Sequence, residues 1–183
     1  MVYVFLANGF EELEALAPID ILRRAGVEVM TVGVDTETIT ASHKVIFTAD
    51  TTVDKIILND DIDMIVLPGG MPGTLNLENN DYVQAAVDYC VKNDRYVASI
   101  CAAPSILGHK GLLKGKEAIC FPGFEKDLEG AVISEEPVVC DGKFITAKGA
   151  GVAVKFALTL VEKLVSVEKA EEIRKGIQCH CPR

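Results

Sequence analysis

Apolar and polar positions follow two different rhythms along the chain. Residues 2–7 (VYVFLA) are an unbroken apolar run rich in β-branched and aromatic side chains, as expected of a strand buried on both faces. Over residues 12–25 the rhythm changes. Leu13, Leu16, Ala17 and Ile21 recur at helical spacing, and Gly26 closes the segment as a C-terminal cap does. Residues 27–34 predict a second strand, followed by a β-like stretch around 45–47 and a short helical turn near 53–58. Met64, Ile65, Val66 and Leu67 predict a short buried strand that stops at Pro68-Gly69-Gly70.

The alternation then repeats. Val83, Ala86, Val87, Cys90 and Val91 fall on one face of a helix over residues 81–93. Residues 96–100 read as strand, and a helix follows Cys101-Ala102-Ala103-Pro104, with Pro104 suited to its first turn. Residues 117–120 are a further strand candidate, and 123–130 are a loop or short helix. Residues 138–140 and 143–146 flank Asp141-Gly142, a two-residue hairpin signal. A helix over 153–164 carries Phe156, Ala157, Leu160, Val161 and Leu164 on one stripe; a more charged helix covers 167–175, and 176–183 reads as a mobile tail. Alternating strands and helices imply a mostly parallel sheet covered on both faces, a three-layer α/β/α sandwich. Such sheets bind ligands at the carboxyl edge of their strands.

The length of 183 residues fits one domain with a full core over 1–183. Apolar residues at 49% and charged residues at 25% exclude disorder as the main state. No stretch free of charged residues exceeds the 14 of residues 96–109, short of the about 20 that span a bilayer, so no membrane span is expected. Residues 1–10 lack a basic segment and run into Glu11 and Glu12, unlike a secretory signal; a cytoplasmic location is expected. Eighteen basic against 27 acidic residues give a net charge of −9, which repels a phosphate backbone. No stable nucleic-acid binding is expected, and the six cysteines should be mostly reduced.

Three predicted strand ends carry unusual residues: 8–14 (NGFEELE), 68–73 (PGGMPG) and 99–104 (SICAAP). Cys101 sits on a sharp turn between a buried strand and a helix, where the helix dipole favours thiolate. Cys90, Cys120 and Cys140 read instead as small buried hydrophobes in a helix or strands. Cys179-His180-Cys181 lacks a fourth ligand for zinc, so no metal site is expected. Bare backbone at Gly69-Gly70 would let amides there, with that of Ala102, approach a negative oxygen, although a tight turn explains the same residues. No phosphate-loop motif occurs.

Glu14 has Ala17, Pro18 and Ile21 at i+3, i+4 and i+7, which puts it on an apolar stripe, and Pro18 cannot donate to its carbonyl. A carboxyl desolvated in this way resists ionisation and can hydrogen-bond to sulfur, so Glu14 is the candidate partner of Cys101. Glu11 and Glu12 read as a solvated helix start. Of the histidines, His43, His109 and His180, neither His109 nor His180 is placed to act as a base toward Cys101.

Residues 6–14 (LANGFEELE), Pro18-Ile19-Asp20 with Arg23-Arg24-Ala25-Gly26, 66–70 (VLPGG), 98–104 (ASICAAP) and Lys148-Gly149-Ala150-Gly151 with Phe156-Ala157-Leu158 together resemble the ThiJ/PfpI superfamily, within it the branch of Parkinsonism-associated deglycases, the DJ-one proteins. The likeness runs from about residue 2 to 165 with the motifs in order. It implies a flavodoxin-like sandwich of the class I glutamine amidotransferase-like type, usually a homodimer, with Cys101 as nucleophile-elbow cysteine and Glu14 as a protonated glutamate. It also implies that the amides of Gly70 and Ala102 form the oxyanion site. The implied activity is cofactor-independent conversion of methylglyoxal or glyoxal to hydroxy acids, or removal of their early adducts from proteins and nucleotides, in protection against oxidative stress. The alternative is a redox-sensing chaperone that uses oxidation of the same cysteine.

A cysteine amidase or peptidase is disfavoured, because the protease-like branch carries histidine directly after the cysteine and this chain has Ala102. Two further departures concern the site. Phe121 precedes Pro122 where the DJ-one branch has a histidine, and His43 stands in place of an arginine that approaches the site across the dimer. The expected dimer contact is the first helix with neighbouring loops.

Overall fold

A computed structural model of the chain describes residues 1–180. In chain order its elements are β1 (Val2–Leu6), α1 (Glu12–Arg24), β2 (Val29–Gly33), β3 (Thr38–Thr40), β4 (Ile46–Thr48), β5 (Thr51–Thr52), β6 (Met64–Leu67), α2 (Gly73–Glu78), α3 (Asp81–Lys92), β7 (Tyr96–Ile100), α4 (Pro104–His109), β8 (Glu117–Ala118), β9 (Val132–Ile133), β10 (Val138–Asp141), β11 (Phe144–Ala147), α5 (Ala153–Leu164) and α6 (Val167–Gly176). Short 3-10 turns occupy Glu125–Asp127 and Ala150–Val152.

Seven strands form one sheet in the order β10-β11-β7-β6-β1-β2-β5, parallel except for β10 against β11. The two-residue period of β1 assigns its side chains to two cores. Val2, Val4 and Leu6 pack with α1, α5 and α6 on one face, while Tyr3 and Phe5 pack with α2, α3 and α4 on the other. This is the expected α/β sandwich. The register aligns Val4 with Val66, Val66 with Ala98 and Ala98 with Ile145, so the chain leaves β1, β6, β7 and β11 at one common edge. Among the described residues no helix is long and apolar enough to cross a membrane.

Helix α1 runs unbroken through Pro18, with Gly26 in the left-handed region (φ +79°) just beyond its C-cap. Several local expectations are corrected. The β-like stretch at 45–47 is borne out as β4, but its partner β3, a short Thr-Ile-Thr run, was not expected. The helical turn near 53–58 is a tight turn followed by irregular chain, and the edge strand β5 precedes it. Helix α2, short and starting among glycine and proline, was not expected. The hairpin turn falls on Gly142-Lys143 instead of Asp141-Gly142, because Asp141 pairs with Phe144 and Gly142 takes the positive φ of +59°. Cys120 is buried but follows β8 instead of lying in it, and Cys140 faces solvent because β10 is an edge strand. Within 176–180, Ile177 and Cys179 pack partly against the α5–α6 core and Arg174 donates to the Cys179 carbonyl at 3.2 Å; Cys181 lies outside the described residues.

Phe156 on α5 is wholly buried in the core shared with α1. Phe156→Ala should lower stability by roughly 3–5 kcal/mol through the lost burial and the cavity left behind. Urea unfolding should show this as a lower midpoint with an unchanged slope.

Candidate active site

The sheet order places β6 beside β1 on the side opposite β2, so the chain reverses direction across the sheet between β1 and β6. Open α/β sheets leave a crevice at such a point. Three segments converge there and beside it: the start of α1 after β1, Pro68-Gly69-Gly70 after β6, and Cys101 after β7. Lys148-Gly149-Ala150 arrives next to them from β11.

Cys101 occupies the turn between β7 and α4 with a φ of +67°, a left-handed conformation that L residues seldom adopt. Its backbone is tied on both sides: the Cys101 N–H donates to the Ala147 carbonyl at 2.9 Å, and the Phe121 N–H donates to the Cys101 carbonyl at 2.7 Å. The turn leaves the thiol half-buried, with the backbone amides of Gly70 and Ala102 and the carboxyl of Glu14 directed at the sulfur. Close approach requires glycine at position 69. A Cβ there would stand 2.6 Å from the Cys101 Cβ and 2.7 Å from the Glu14 Oε2.

Glu14 has no exposed surface. Its Oε2 accepts the Gly69 N–H at 2.9 Å, the Ala150 amide is turned toward the carboxyl, and the carboxyl faces the Cys101 thiol. Oε1 is buried without a well-formed hydrogen bond of its own. Burial pushes the Glu14 carboxyl up to about 7, and the charge of Glu11 adds to this, against the lowering effect of its hydrogen bonds with Cys101, Gly69 and Ala150. Burial likewise pushes the Cys101 thiol up to about 12, reinforced by the Glu14 charge and outweighing the amides of Gly70 and Ala102.

Desolvation thus opposes the thiolate that the turn favours. Helix α4 begins only at Pro104 and has six residues, too little dipole to offset desolvation beside a carboxylate. Loss of one proton from the pair leaves a single negative charge between oxygen and sulfur.

The neighbouring glutamates differ from expectation and from each other. Glu11 caps α1, its carboxylate accepting the Glu14 N–H at 2.9 Å. Glu12 is buried instead of solvated: His43 N–H donates to Oε1 at 2.7 Å, and Ser42 Oγ and the His43 ring engage Oε2 at 3.1 and 2.9 Å. Burial raises its pKa, but these bonds, the His43 ring first, prevail and hold Glu12 at about 2. Glu11, Glu12 and His43 bring ligand atoms within 4.8 Å of one another, yet both Glu12 oxygens are already engaged by Ser42 and His43. His109 is hydrogen-bonded to Glu78, and the group that faces Cys101 is a carboxyl, not an imidazole. The sequence reading missed Ala150 as a neighbour of Glu14, although its position after a strand of the same edge was the available signal.

Residues 1–163 match the sequence model of the DJ-1/PfpI family. Protein DJ-1 homolog A of Arabidopsis thaliana is 39% identical over 94% of this chain, and the match spans 45% of that relative's length, so this chain covers about half of it. The glutathione-independent glyoxalase DJR-1.2 of Caenorhabditis elegans is 30% identical over 91% of this chain and 89% of its own. Among solved structures, oxidized Toxoplasma gondii DJ-1 superposes with a TM-score of 0.93 at 34% identity, covering 98% of each chain.

A buried carboxyl whose native pKa of about 7 exceeds its unfolded value near 4.5 leaves stability intact below pH 4.5 and erodes it as pH rises through 7. Glu14→Gln should therefore melt several degrees above the parent at pH 8, with the gap closing below about pH 4.5. Thermal midpoints measured across that range check the sign, and a constant gap at every pH would contradict it.

Proposed function

The chain belongs to the DJ-1/PfpI family, and we propose that it is a cofactor-independent glyoxalase that converts methylglyoxal to lactate and glyoxal to glycolate through Cys101 and Glu14. The observation that carries this reading is the pairing of Cys101 with a buried Glu14 at the carboxyl edge of the sheet, both packed against the bare backbone of Gly69. The glyoxalase named among the relatives supports the same reaction class.

In the proposed sequence the Cys101 sulfur adds to the aldehyde carbon while Glu14 carboxylate takes the thiol proton. A carboxyl near 7 is matched to proton transfer at neutral pH. The oxygen that becomes negative is received by the amides of Gly70 and Ala102. Glu14 passes that proton to the oxygen, which gives a neutral hemithioacetal and restores the carboxylate. It then removes the hydrogen from the hemithioacetal carbon, the hydroxyl proton moves to the neighbouring carbonyl oxygen, and Glu14 returns its proton to the neighbouring carbon, which turns the aldehyde carbon into a thioester and the ketone into an alcohol. Water hydrolyses the thioester, releasing the hydroxy acid and the Cys101 thiol. One carbon is oxidised and its neighbour reduced, so water is the only other reactant. Early adducts of the same dicarbonyls on proteins and nucleotides present the same two carbons, and deglycation is the corresponding extension.

Oxidation of Cys101 as a stress sensor is a second reading, supported by the similar structure solved in oxidized form. An amidase or peptidase of the Cys-His type would need an imidazole beside the sulfur, whereas Ala102 follows Cys101 and His43 and His109 are engaged by Glu12 and Glu78. We also assign a homodimer. Leu13 at 59% and Ile46 at 70% exposure, with Leu16 and Val45, leave apolar surface on α1 and beside β4, and the bonds from Glu12 to Ser42 and His43 join these two regions.

Cys101→Ser should abolish lactate formation with the fold retained, because a serine hydroxyl is a poor nucleophile. Glu14→Gln should cut kcat by on the order of 10²-fold or more, and parent kcat/KM should rise as pH passes through about 7. Lactate assays without glutathione test all three; a Cys101→Ser protein with parental turnover would refute the reading. Sedimentation should give a dimer for the parent and a monomer for the double variant Leu13→Glu, Ile46→Glu, and a monomeric parent at micromolar concentration would overturn the assembly.

A further inference from the structure

Phe121 stands 47% exposed at the rim of the site, a large apolar side chain beside a pair of ionisable groups. Its backbone is held firmly. The Phe121 N–H donates to the Cys101 carbonyl at 2.7 Å, and the Phe121 carbonyl accepts the Phe124 N–H at 3.1 Å. Just upstream, Ile119 N–H donates to the buried Thr146 Oγ1 at 3.0 Å, and Cys120 is buried, which anchors the approach to the ring on β11. The edge of the ring rests on Gly149: a Cβ at that glycine would come within 3.2 Å of the Phe121 Cδ2 and 3.9 Å of the Glu14 Oε1. Ring and carboxyl therefore border the same small space, separated by bare backbone.

A phenyl ring carries no titratable proton, so it takes no part in the relay between Cys101 and Glu14. It offers an apolar face instead, next to the atoms that hold the reacting carbons. In a 2-oxoaldehyde bound to Cys101 through its aldehyde carbon, the other carbonyl carbon bears the substituent that distinguishes glyoxal, methylglyoxal and phenylglyoxal. That substituent stays uncharged and unchanged through the reaction, so any contact with it contributes alike to ground and transition states.

Building on the glyoxalase reading, we propose that Phe121 is a specificity-determining residue that binds the substituent of 2-oxoaldehyde substrates and selects those carrying apolar or aromatic groups. The chain then acts best on aryl and alkyl glyoxals, with glyoxal itself the weakest fit.

The test is kcat/KM for phenylglyoxal, methylglyoxal and glyoxal in the parent, Phe121→Leu and Phe121→Ala. The three aldehydes differ in intrinsic reactivity, so the readout is how the phenylglyoxal-to-glyoxal ratio changes on substitution. The ratio should fall roughly tenfold in Phe121→Ala, mostly through the KM of phenylglyoxal, and by a smaller factor in Phe121→Leu, which keeps an apolar surface. A ratio in Phe121→Ala within about twofold of the parent, or an equal loss on all three substrates, would overturn the assignment while leaving the glyoxalase reading standing. A parent that converts none of the three would overturn the glyoxalase reading and this assignment with it.

Discussion

Burying the Glu14 carboxyl obliges the surrounding backbone to supply what water otherwise would. Gly69 gives its N–H, the Ala150 amide turns inward, and the Cys101 thiol completes the set, so strand ends from β6, β11 and β7 are all directed at one side chain of α1. Each of those segments has to come close, which is why bare backbone stands at Gly69, and why the sheet order that puts β1, β6, β7 and β11 side by side is a condition for the site. The same burial that makes the carboxyl reluctant to ionise makes the sulfur reluctant too. Neither group gains a charge cheaply alone, and the amides of Gly70 and Ala102 are the local source of positive potential for whichever atom holds it.

One turn of helix shows how far environment governs identical chemistry. Glu11, Glu12 and Glu14 have the same functional group, yet the first caps the helix, the second is held at about 2 by Ser42 and His43, and the third is raised to about 7. The Glu12 contacts also fasten the hairpin of β3 and β4 to the start of α1, so the positions of Glu11 and Glu14 depend on a loop outside the main sheet.

Much of this was legible in the chain because buried parallel strands and amphipathic helices write long, unambiguous patterns. β6, β7 and α5 fall within the residues their apolar periodicity indicates, and the apolar stripe of Ala17, Pro18 and Ile21 singled out Glu14 from its neighbours. What escaped has physical reasons. β3, β5 and β9 have two or three residues each, too few for a period to register, and α2 begins in a glycine- and proline-rich segment. The burial of Glu12 depends on Ser42 and His43, thirty residues away, and the burial that opposes charge on Cys101 is something no spacing rule expresses. The one-residue shift of the hairpin turn follows from Asp141 joining the ladder instead of the turn.

The left-handed backbone at Cys101 ties chemistry to evolutionary drift. A residue with a Cβ held at φ +67° costs on the order of 1 kcal/mol that glycine would not incur. At this position the residue that best suits the chain and the residue that does the proposed chemistry are therefore different amino acids. A lineage released from any need for the sulfur would gain stability by relaxing to glycine, and its paralogues would keep the sandwich while losing the thiol. Under the proposed chemistry, cysteine at a glycine-shaped turn exchanges backbone comfort for a sulfur, and the exchange is written into a single torsion angle.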